Sequence, residues 1–175
     1  NIIIQYLMKQ GADPNLPDKY GETPLQYAIT SKSCYYVNEL IKSQKIDLHK
    51  QINFSIQYSN NIDTNVTSTY LHLASKVGDI NIFKRINDLK IIDINERDNQ
   101  GETSLMISVR YNNYDIITEI FENEELNYKD YNNRGENVLN ISNHSHFPVI
   151  ENTKEETLKK LLNNKNNKYI NNNKP

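Results

Sequence analysis

The sequence predicts an all-α fold built from short antiparallel helix pairs that stack in a row. A helix start, in which a Thr or Asn precedes an apolar pattern, recurs at positions 23, 69, 103 and 137. The last three starts are 34 residues apart, whereas the first two are 46 residues apart, which is 12 more. A fixed period of this length is typical of repeat architectures, in which each unit buries its apolar side against the next. The longer gap predicts one unit that carries an insertion.

The stretch 18–28 shows why each unit begins as it does. Gly21 can adopt the positive φ that a tight turn often needs. Thr23 can cap a helix through its hydroxyl, and Pro24 suits the first helical position, where a backbone N–H has no partner inside the helix. Leu25 and Ala28 are three residues apart and share one face of that helix. These residues predict a tight turn followed by an inner helix.

The same stretch resembles the turn and first-helix signature of an ankyrin repeat, Asp-x-x-Gly-x-Thr-Pro-Leu-His-x-Ala. Residues 7–15 are similar to the ending of such a repeat. Further copies of the signature lie at 69–74, 98–108 and 132–139, and further copies of the ending lie at 47–49, 93–95 and 127–129. The resemblance covers roughly residues 1–142 and implies an ankyrin-repeat solenoid of stacked antiparallel helix pairs with extended finger turns.

Helical spacing of apolar residues places an outer helix after each inner one. We expect Gly11 to end the first outer helix and Gly78 to mark the turn inside a pair. Asn112 and Asn113 stand where a glycine is usual, and asparagine tolerates the left-handed conformation. The expected helices span 1–10, 24–31, 34–43, 70–77, 80–88, 104–111 and 114–123. The side chains expected to pack inward are Val37, Leu40, Ile41, Ile82, Phe83, Ile86, Leu105, Ile117, Ile120 and Phe121.

We expect one repeat array over residues 1–162, followed by an Asn- and Lys-rich tail at 163–175 that is too polar to fold. Within the last unit, a capping box predicts a displaced outer helix over 154–162. The chain opens in the second half of a repeat, so we expect a fragment of a longer array. The expected units are a partial repeat at 1–17, repeats at about 18–49, 67–97 and 98–131, and a degenerate capping repeat at 132–162.

The insertion falls at 50–66, a polar stretch rich in Asn and Ser. We expect a loop there, with a short helix around 52–58. Insertions in repeat proteins map to loops on one face, which is often a binding face. A solvated loop without a role is the alternative interpretation.

Composition restricts the class of protein further. The hydrophobic fraction of 37% is low for a protein with a central core, but a solenoid needs only a thin apolar layer in each unit. The net charge of −2 gives no general attraction to nucleic acid or to an anionic membrane. Cys34 is the single cysteine, which excludes an internal disulfide and favours a reducing compartment. We expect an intracellular, cytoplasmic monomer without a membrane span.

No group of residues predicts catalysis, a cofactor or a metal. His72 occupies the histidine position of the repeat signature, where the resemblance implies bonds to backbone and to neighbouring loops. His144 and His146 are too few for a metal site. Cys34 has no neighbouring base in the sequence and is expected to be a small apolar side chain. The sequence therefore predicts a protein that is not an enzyme.

The resemblance implies a protein-interaction module that binds a protein partner through its finger tips and the concave face of its inner helices. Tyr and Arg side chains are suited to anchor such contacts. The sequence does not identify the partner. The residues expected to contact it are Tyr20, Tyr27, Thr30, Lys76, Arg97, Gln100, Ile107, Arg110, Tyr111, Tyr131 and Arg134.

Two other functions remain open at this point. The chain could be the targeting region of a larger enzyme, such as a kinase or a ubiquitin ligase. It could also be a structural spacer with no dedicated partner, which the weak signature copies at Tyr70 and Asn137 favour.

Overall fold

A computed structural model describes residues 2–58 and 61–144, together with Lys160 and Asn163. The predicted helix 154–162 and tail 163–175 therefore lie almost wholly outside the described residues. The elements are α1 (Ile2–Lys9), α2 (Pro24–Thr30), α3 (Cys34–Lys42), β1 (Ile52–Tyr58), β2 (Asn61–Ser68), α4 (Tyr70–Val77), α5 (Ile80–Asn87), α6 (Ser104–Arg110), α7 (Tyr114–Phe121) and α8 (Val138–His144).

The helices form two layers, and this confirms the predicted stack of antiparallel pairs. The inner helices follow one another in contact, α2 against α4, α4 against α6 and α6 against α8. The outer helices do the same, α1 against α3, α3 against α5 and α5 against α7. Each unit thus packs chiefly on its neighbours, as expected of a solenoid. No helix among the described residues combines the length and the apolar character needed to cross a bilayer.

The inner helices begin with the predicted caps. The Thr23 hydroxyl accepts the backbone N–H of Gln26 at 3.3 Å, and the Gln26 side chain accepts the backbone N–H of Thr23 at 2.9 Å. This reciprocal capping box precedes Pro24 at the helix start. The Thr103 hydroxyl accepts the backbone N–H of Met106 at the start of α6 without a reciprocal side-chain bond, whereas Thr69 makes no bond to the backbone of α4.

The turn inside a helix pair has a left-handed residue in three consecutive units, and in the first of them Lys32 has a φ of +53°. Gly78 has a φ of +80°, and Asn112 has a φ of +59°, which confirms the role predicted for asparagine. A Cβ at residue 78 would overlap the side-chain amide of Asn113. That amide donates to the carbonyl oxygen of Ser75 at 2.7 Å, so the close approach joins two neighbouring units.

The predicted apolar layers form a continuous core through the stack. Every side chain expected to pack inward from α3, α5, α6 and α7 is buried. On α1, by contrast, Ile3 and Leu7 are exposed, because no described residue covers that face.

The insertion corrects the sequence analysis. The helix expected around 52–58 is wrong, because β1 pairs with β2 in an antiparallel hairpin that runs from Ile52 opposite Ser68 to Tyr58 opposite Asn61. Apolar residues alternate along β1 at Ile52, Phe54 and Ile56, which is the period of a strand. The pairing shifts register between Phe54 and Ile56. The alternation was present in the sequence but is short, and polar neighbours obscure it.

Candidate functional site

The hairpin lies on the concave side of the stack and has a small apolar core of its own there. Ile56 and Val66 pack on Ile107 of α6, and none of the three side chains is exposed to solvent. Phe54 and Tyr111 are partly buried against the same cluster. The insertion therefore covers the concave position of α6.

Two inner helices also bind the backbone of β1. The Gln26 side-chain amide on α2 donates to the carbonyl oxygen of Asn53 at 3.1 Å. The Lys76 ammonium on α4 donates to the carbonyl oxygen of Ser55 at 2.6 Å. The hairpin thus contacts α2, α4 and α6, and it spans three successive units.

Lys76 is held between aromatic rings as well. Its Nζ lies 5.6 Å from the centroid of the Phe54 ring and 5.9 Å from that of Tyr111. Rings at these distances attract a cation through their negative faces. Burial lowers the pKa of Lys76 below its usual range. The Lys76 ammonium therefore links the hairpin to the inner helices.

Adjacent fingers are joined through their backbones. The Asn99 N–H donates to the carbonyl oxygen of Thr67 at 3.1 Å, and the Thr67 N–H donates to the Asn99 side chain at 3.1 Å. One unit later, the Asn133 N–H donates to the carbonyl oxygen of Gln100 at 2.9 Å. The Arg97 guanidinium donates to the carbonyl oxygen of Tyr131. The finger tips are therefore fixed relative to each other.

A buried ion network joins the last two units. Glu102 is fully buried and accepts the guanidinium groups of Arg110 and Arg134 and, at 3.0 Å, the amide of Asn132. Glu136 accepts the Arg134 Nε at 3.0 Å and the Asn132 amide at 2.9 Å. Burial raises the pKa of Glu136, but the bonds from Asn132 and Arg134 outweigh it and hold that pKa below its usual value. The two arginines therefore balance two carboxylates within the fold.

An aspartate begins the finger turn in two of the units, but the hydrogen bonds of its second carboxylate oxygen differ between them. Asp18 accepts the backbone N–H groups of Tyr20 and Glu22 on one oxygen and the Tyr27 hydroxyl on the other, at 2.9 Å. Asp98 accepts the equivalent backbone groups, but no described residue bonds its Oδ2, which is buried. Burial raises the pKa of Asp98 to about 6. The difference arises because Ile107 stands where the first unit has a tyrosine.

His72 joins the second unit to the third. Its Nε2 donates to the carbonyl oxygens of Glu96 and Glu102 at 3.0 and 3.1 Å, and its Nδ1 accepts the Thr69 hydroxyl at 2.8 Å. Burial lowers the pKa of His72 to about 4, although the two carbonyl bonds raise it. The ring is therefore neutral near pH 7, and its predicted structural role is confirmed.

Comparison with known proteins agrees with these repeated contacts. A family model described as ankyrin repeats, in three copies, matches residues 49–134. Residues 49–134 of this chain are ankyrin repeats. Ankyrin repeats are generally protein-interaction modules and are typically non-catalytic.

Three relatives show how far the likeness extends. Alpha-latrotoxin-Lg1a of Latrodectus geometricus is 38% identical over 98 residues, which is 56% of this chain and 6% of the toxin. Alpha-latrotoxin-Lhe1a of Latrodectus hesperus is 34% identical over 107 residues, which is 61% of this chain and 7% of the toxin. A protein of fowlpox virus (strain NVSL) named as an ankyrin repeat protein, FPV223, is 29% identical over 65% of this chain and 70% of its own. The chain spans less than a tenth of the length of these alpha-latrotoxins.

The structure corrects part of the contact surface predicted for this ankyrin repeat chain. Ile107 is wrong as a partner contact in this conformation, because the hairpin covers it completely. Arg110 and Arg134 bind Glu102, and Lys76 binds Ser55, so all three hold the fold together. Sequence reasoning missed these contacts because Glu102 lies 8 residues from Arg110 and 32 from Arg134, and Ser55 lies 21 residues from Lys76.

Other members of the predicted surface are open to solvent. Tyr20 is 75% exposed, Tyr27 is 48% exposed and Tyr131 is 55% exposed. Thr30 is exposed at the end of α2, whereas Tyr111 and Gln100 are half-buried. Their role in binding stays a prediction.

Exposed apolar surface is concentrated in the first repeats. Among the described residues, eight of the ten large apolar side chains that are exposed lie before residue 37. They include Tyr35 and Tyr36 on the outer helix α3, whose rings meet edge to face. Most of the exposed large apolar side chains of the described residues therefore lie in the stretch before residue 37.

No group of three His, Cys, Asp or Glu side chains within the described residues could hold a metal ion. Cys34 is half-buried, its Sγ lies 3.9 Å from Asp79, and burial raises the pKa of its thiol. His146 lies outside the described residues.

Proposed function

We propose that this ankyrin repeat chain is a non-catalytic module that binds a protein partner through the finger tip and concave face of its first complete repeat. Exposure of Tyr20 and Tyr27 is the observation that carries the proposal. Thr30 stands one turn after Tyr27 on α2 and is also exposed. Large tyrosine rings bury much area with few torsions to fix, so they are effective anchors at interfaces.

The first finger is already ordered for such a contact. The Tyr27 hydroxyl donates to Asp18, and this bond raises the pKa of Tyr27 to about 12. The Lys19 ammonium lies 4.9 Å from the centroid of the Tyr20 ring. A side chain that is oriented before binding loses less conformational entropy when the partner arrives.

The later finger tips would extend the same contact. Tyr131 is exposed, and the bond between its carbonyl oxygen and Arg97 fixes its backbone. Gln100 and Arg134 complete the predicted tips, although Arg134 also neutralises Glu102. We expect substitution of Tyr131, Gln100 or Arg134 to weaken partner binding less than substitution of Tyr20 and Tyr27 does.

Affinity capture with paired variants tests this proposal. Tyr20→Ala with Tyr27→Ala removes the proposed anchors, and Tyr35→Ala with Tyr36→Ala removes two exposed tyrosines from the outer helix. Partners retained by the wild-type chain should be lost from the first double variant and kept by the second. Equal capture by both variants, or loss from the second alone, would show that the partner binds elsewhere.

A structural spacer is the second candidate, and one observation favours it. In the second and third units, Lys76, Ile107 and Arg110 are engaged inside the chain, which leaves these concave positions without free side chains. A spacer predicts that no partner depends on either tyrosine pair. The same capture experiment therefore separates the two functions.

A further inference from the structure

We propose that Asp98 makes the tip of the third finger, residues 98–101, a pH-sensitive contact. The tip stays paired with the neighbouring fingers while Asp98 is protonated, and it opens locally more often once Asp98 is ionised. The tip is bonded to the second unit on one side and to the fourth unit on the other. Protons would therefore regulate how firmly three successive units are joined, independently of the partner-binding role proposed above.

The finger turn is held in the same way in three units. Asp18, Asp98 and Asn132 each accept, on one side-chain oxygen, the backbone N–H groups two and four residues further on. The other terminal atom differs between them. Oδ2 of Asp18 accepts the Tyr27 hydroxyl, and Nδ2 of Asn132 donates to the carboxylate of Glu102. Oδ2 of Asp98 is buried and has no hydrogen-bond partner among the described residues.

A proton removes the charge from this buried carboxyl group. A buried carboxylate oxygen without a donor loses its hydration and gains no bond in exchange, whereas a neutral carboxyl loses much less. Burial is the largest cause that raises the pKa of Asp98 to about 6. The charge of Glu102 also raises that pKa, while the backbone bonds and the charge of Arg134 lower it. The closed tip therefore binds a proton more tightly than an open tip, in which Asp98 is hydrated.

Charged groups surround the tip, but none of those described donates to the second oxygen of Asp98. On the elements packed around the tip they are Arg97 and Glu102 of the third finger, Lys76 of α4, Arg110 of α6, and Arg134 and Glu136 of the fourth finger. Each of these groups bonds to another part of the chain. The hairpin side chains that pack on α6, Ile56 and Val66, are uncharged.

The residues on both sides of the tip stay in place when it opens. Glu102 follows the tip and is fully buried, where it binds Arg110 and Arg134. The His72 ring donates to the carbonyl oxygens of Glu96 and Glu102. Burial lowers the pKa of His72 to about 4, so this ring is neutral near pH 6. Opening is therefore confined to the four residues of the tip.

The tip carries the backbone bonds that join it to the neighbouring fingers. The Asn99 N–H donates to the carbonyl oxygen of Thr67 at 3.1 Å, and the Asn133 N–H donates to that of Gln100 at 2.9 Å. Because Oδ1 of Asp98 is bonded to the backbone of the tip, Oδ2 reaches water only if the tip moves. Asn99 is exposed and Gln100 is half-buried, so this movement transfers little buried side-chain surface to water. It would break the bonds on both sides.

Amide hydrogen exchange of the full chain, followed by NMR, measures this opening. The exchange rate divided by the intrinsic rate at each pH gives the opening constant of an N–H group. The ratio of the opening constants of wild type and Asp98→Asn, for the N–H groups of Asn99 and Asn133, should rise about tenfold between pH ~5 and pH ~7.5. The ratio cancels the titration of His72, which both chains contain. A ratio that does not change with pH would overturn the proposal.

Two controls show that the opening is local and arises from the unpaired oxygen. The Leu73 N–H, which donates to the carbonyl oxygen of Thr69 in α4, should be better protected than the tip at each pH. Equal protection would mean that the tip opens only by global unfolding, against the proposal. In Asp18→Asn, the equivalent ratio for the Gly21 N–H should stay constant, because the pKa of Asp18 is lowered and both states of that finger are ionised. An equal rise there would contradict a role for the unpaired oxygen.

A titration of the wild-type chain covers the case in which Asp98→Asn does not fold. The ¹³C shift of the Asp98 carboxyl group should have its midpoint more than about one pH unit above that of Asp18, because only Asp98 has a buried oxygen without a donor among these two residues. A midpoint equal to that of Asp18 would overturn the proposal.

Discussion

Replacing Asp98 by asparagine should stabilise the chain at neutral pH. Oδ1 of Asp98 accepts the backbone N–H groups of Gln100 and Glu102, and an asparagine oxygen can accept the same bonds. Oδ2 is buried and has no hydrogen-bond partner among the described residues. The equivalent position of the next unit already holds an asparagine, Asn132, so the turn accepts this side chain.

The pKa of Asp98 gives the size of the effect. Burial raises it from 3.8 to about 6, so the folded chain binds the proton more tightly than the unfolded chain does. The carboxyl therefore favours folding when it is protonated, and that stability is lost as pH rises from about 4 to about 6. A shift of about 2 units corresponds to roughly 3 kcal/mol at full effect. Allowing for the burial of an amide NH2 group that takes the place of an unpaired oxygen, we expect Asp98→Asn to gain about 1–2 kcal/mol at neutral pH.

Urea unfolding at several pH values measures this gain directly. The difference in the free energy of unfolding between Asp98→Asn and wild type should shrink by about 2 kcal/mol between neutral pH and pH ~4.5. Asp18→Asn is the matched control, since Oδ2 of Asp18 has a hydroxyl donor in Tyr27. The control should show no gain at neutral pH. A difference for Asp98→Asn that is independent of pH would refute the reasoning.

Three further predictions concern the contacts between units, and urea unfolding measures each. His72→Gln should cost about 1–3 kcal/mol at neutral pH. It should also reduce the loss of stability at acid pH. The pKa of His72 is about 4 in the folded chain and 6.5 in the unfolded chain, so the stability that His72 contributes above pH 6.5 is lost as pH falls towards 4. Leu105→Ala should cost about 2–5 kcal/mol, and a loss below about 1 kcal/mol would contradict its burial between layers. Gly78→Ala should cost more than Gly21→Ala, since both have a positive φ but only residue 78 faces Asn113; equal losses would argue against that contact.

The repeat period, the helix starts and the apolar layers could be predicted because their causes are local. Thr23 caps α2 through residues within three positions of it, and Asn112 adopts its left-handed turn by its own torsions. The inward face of α5 follows from helical spacing alone. These signals are contained in short stretches of sequence, so the sequence alone predicts the stack of helix pairs.

The candidate surface was predicted less well, because its outcome depends on residues from different units. Nothing near Ile107 in the sequence indicates that Ile56 covers it, and nothing near Glu102 indicates that Arg134 reaches it. Tyr20 and Tyr27 were named from their positions in the repeat signature, and both are exposed although the hairpin binds Gln26 on the same helix as Tyr27.

The sequence by itself determined which segments become helices and how the units are spaced, since backbone torsions and helix periodicity act over a few residues. Only the tertiary structure decided that the insertion is a strand pair, that it lies on the concave face, and that Asp98 lacks the hydroxyl that Asp18 has. Those outcomes depend on burial and on pairing between distant residues, and the stacking of units sets both.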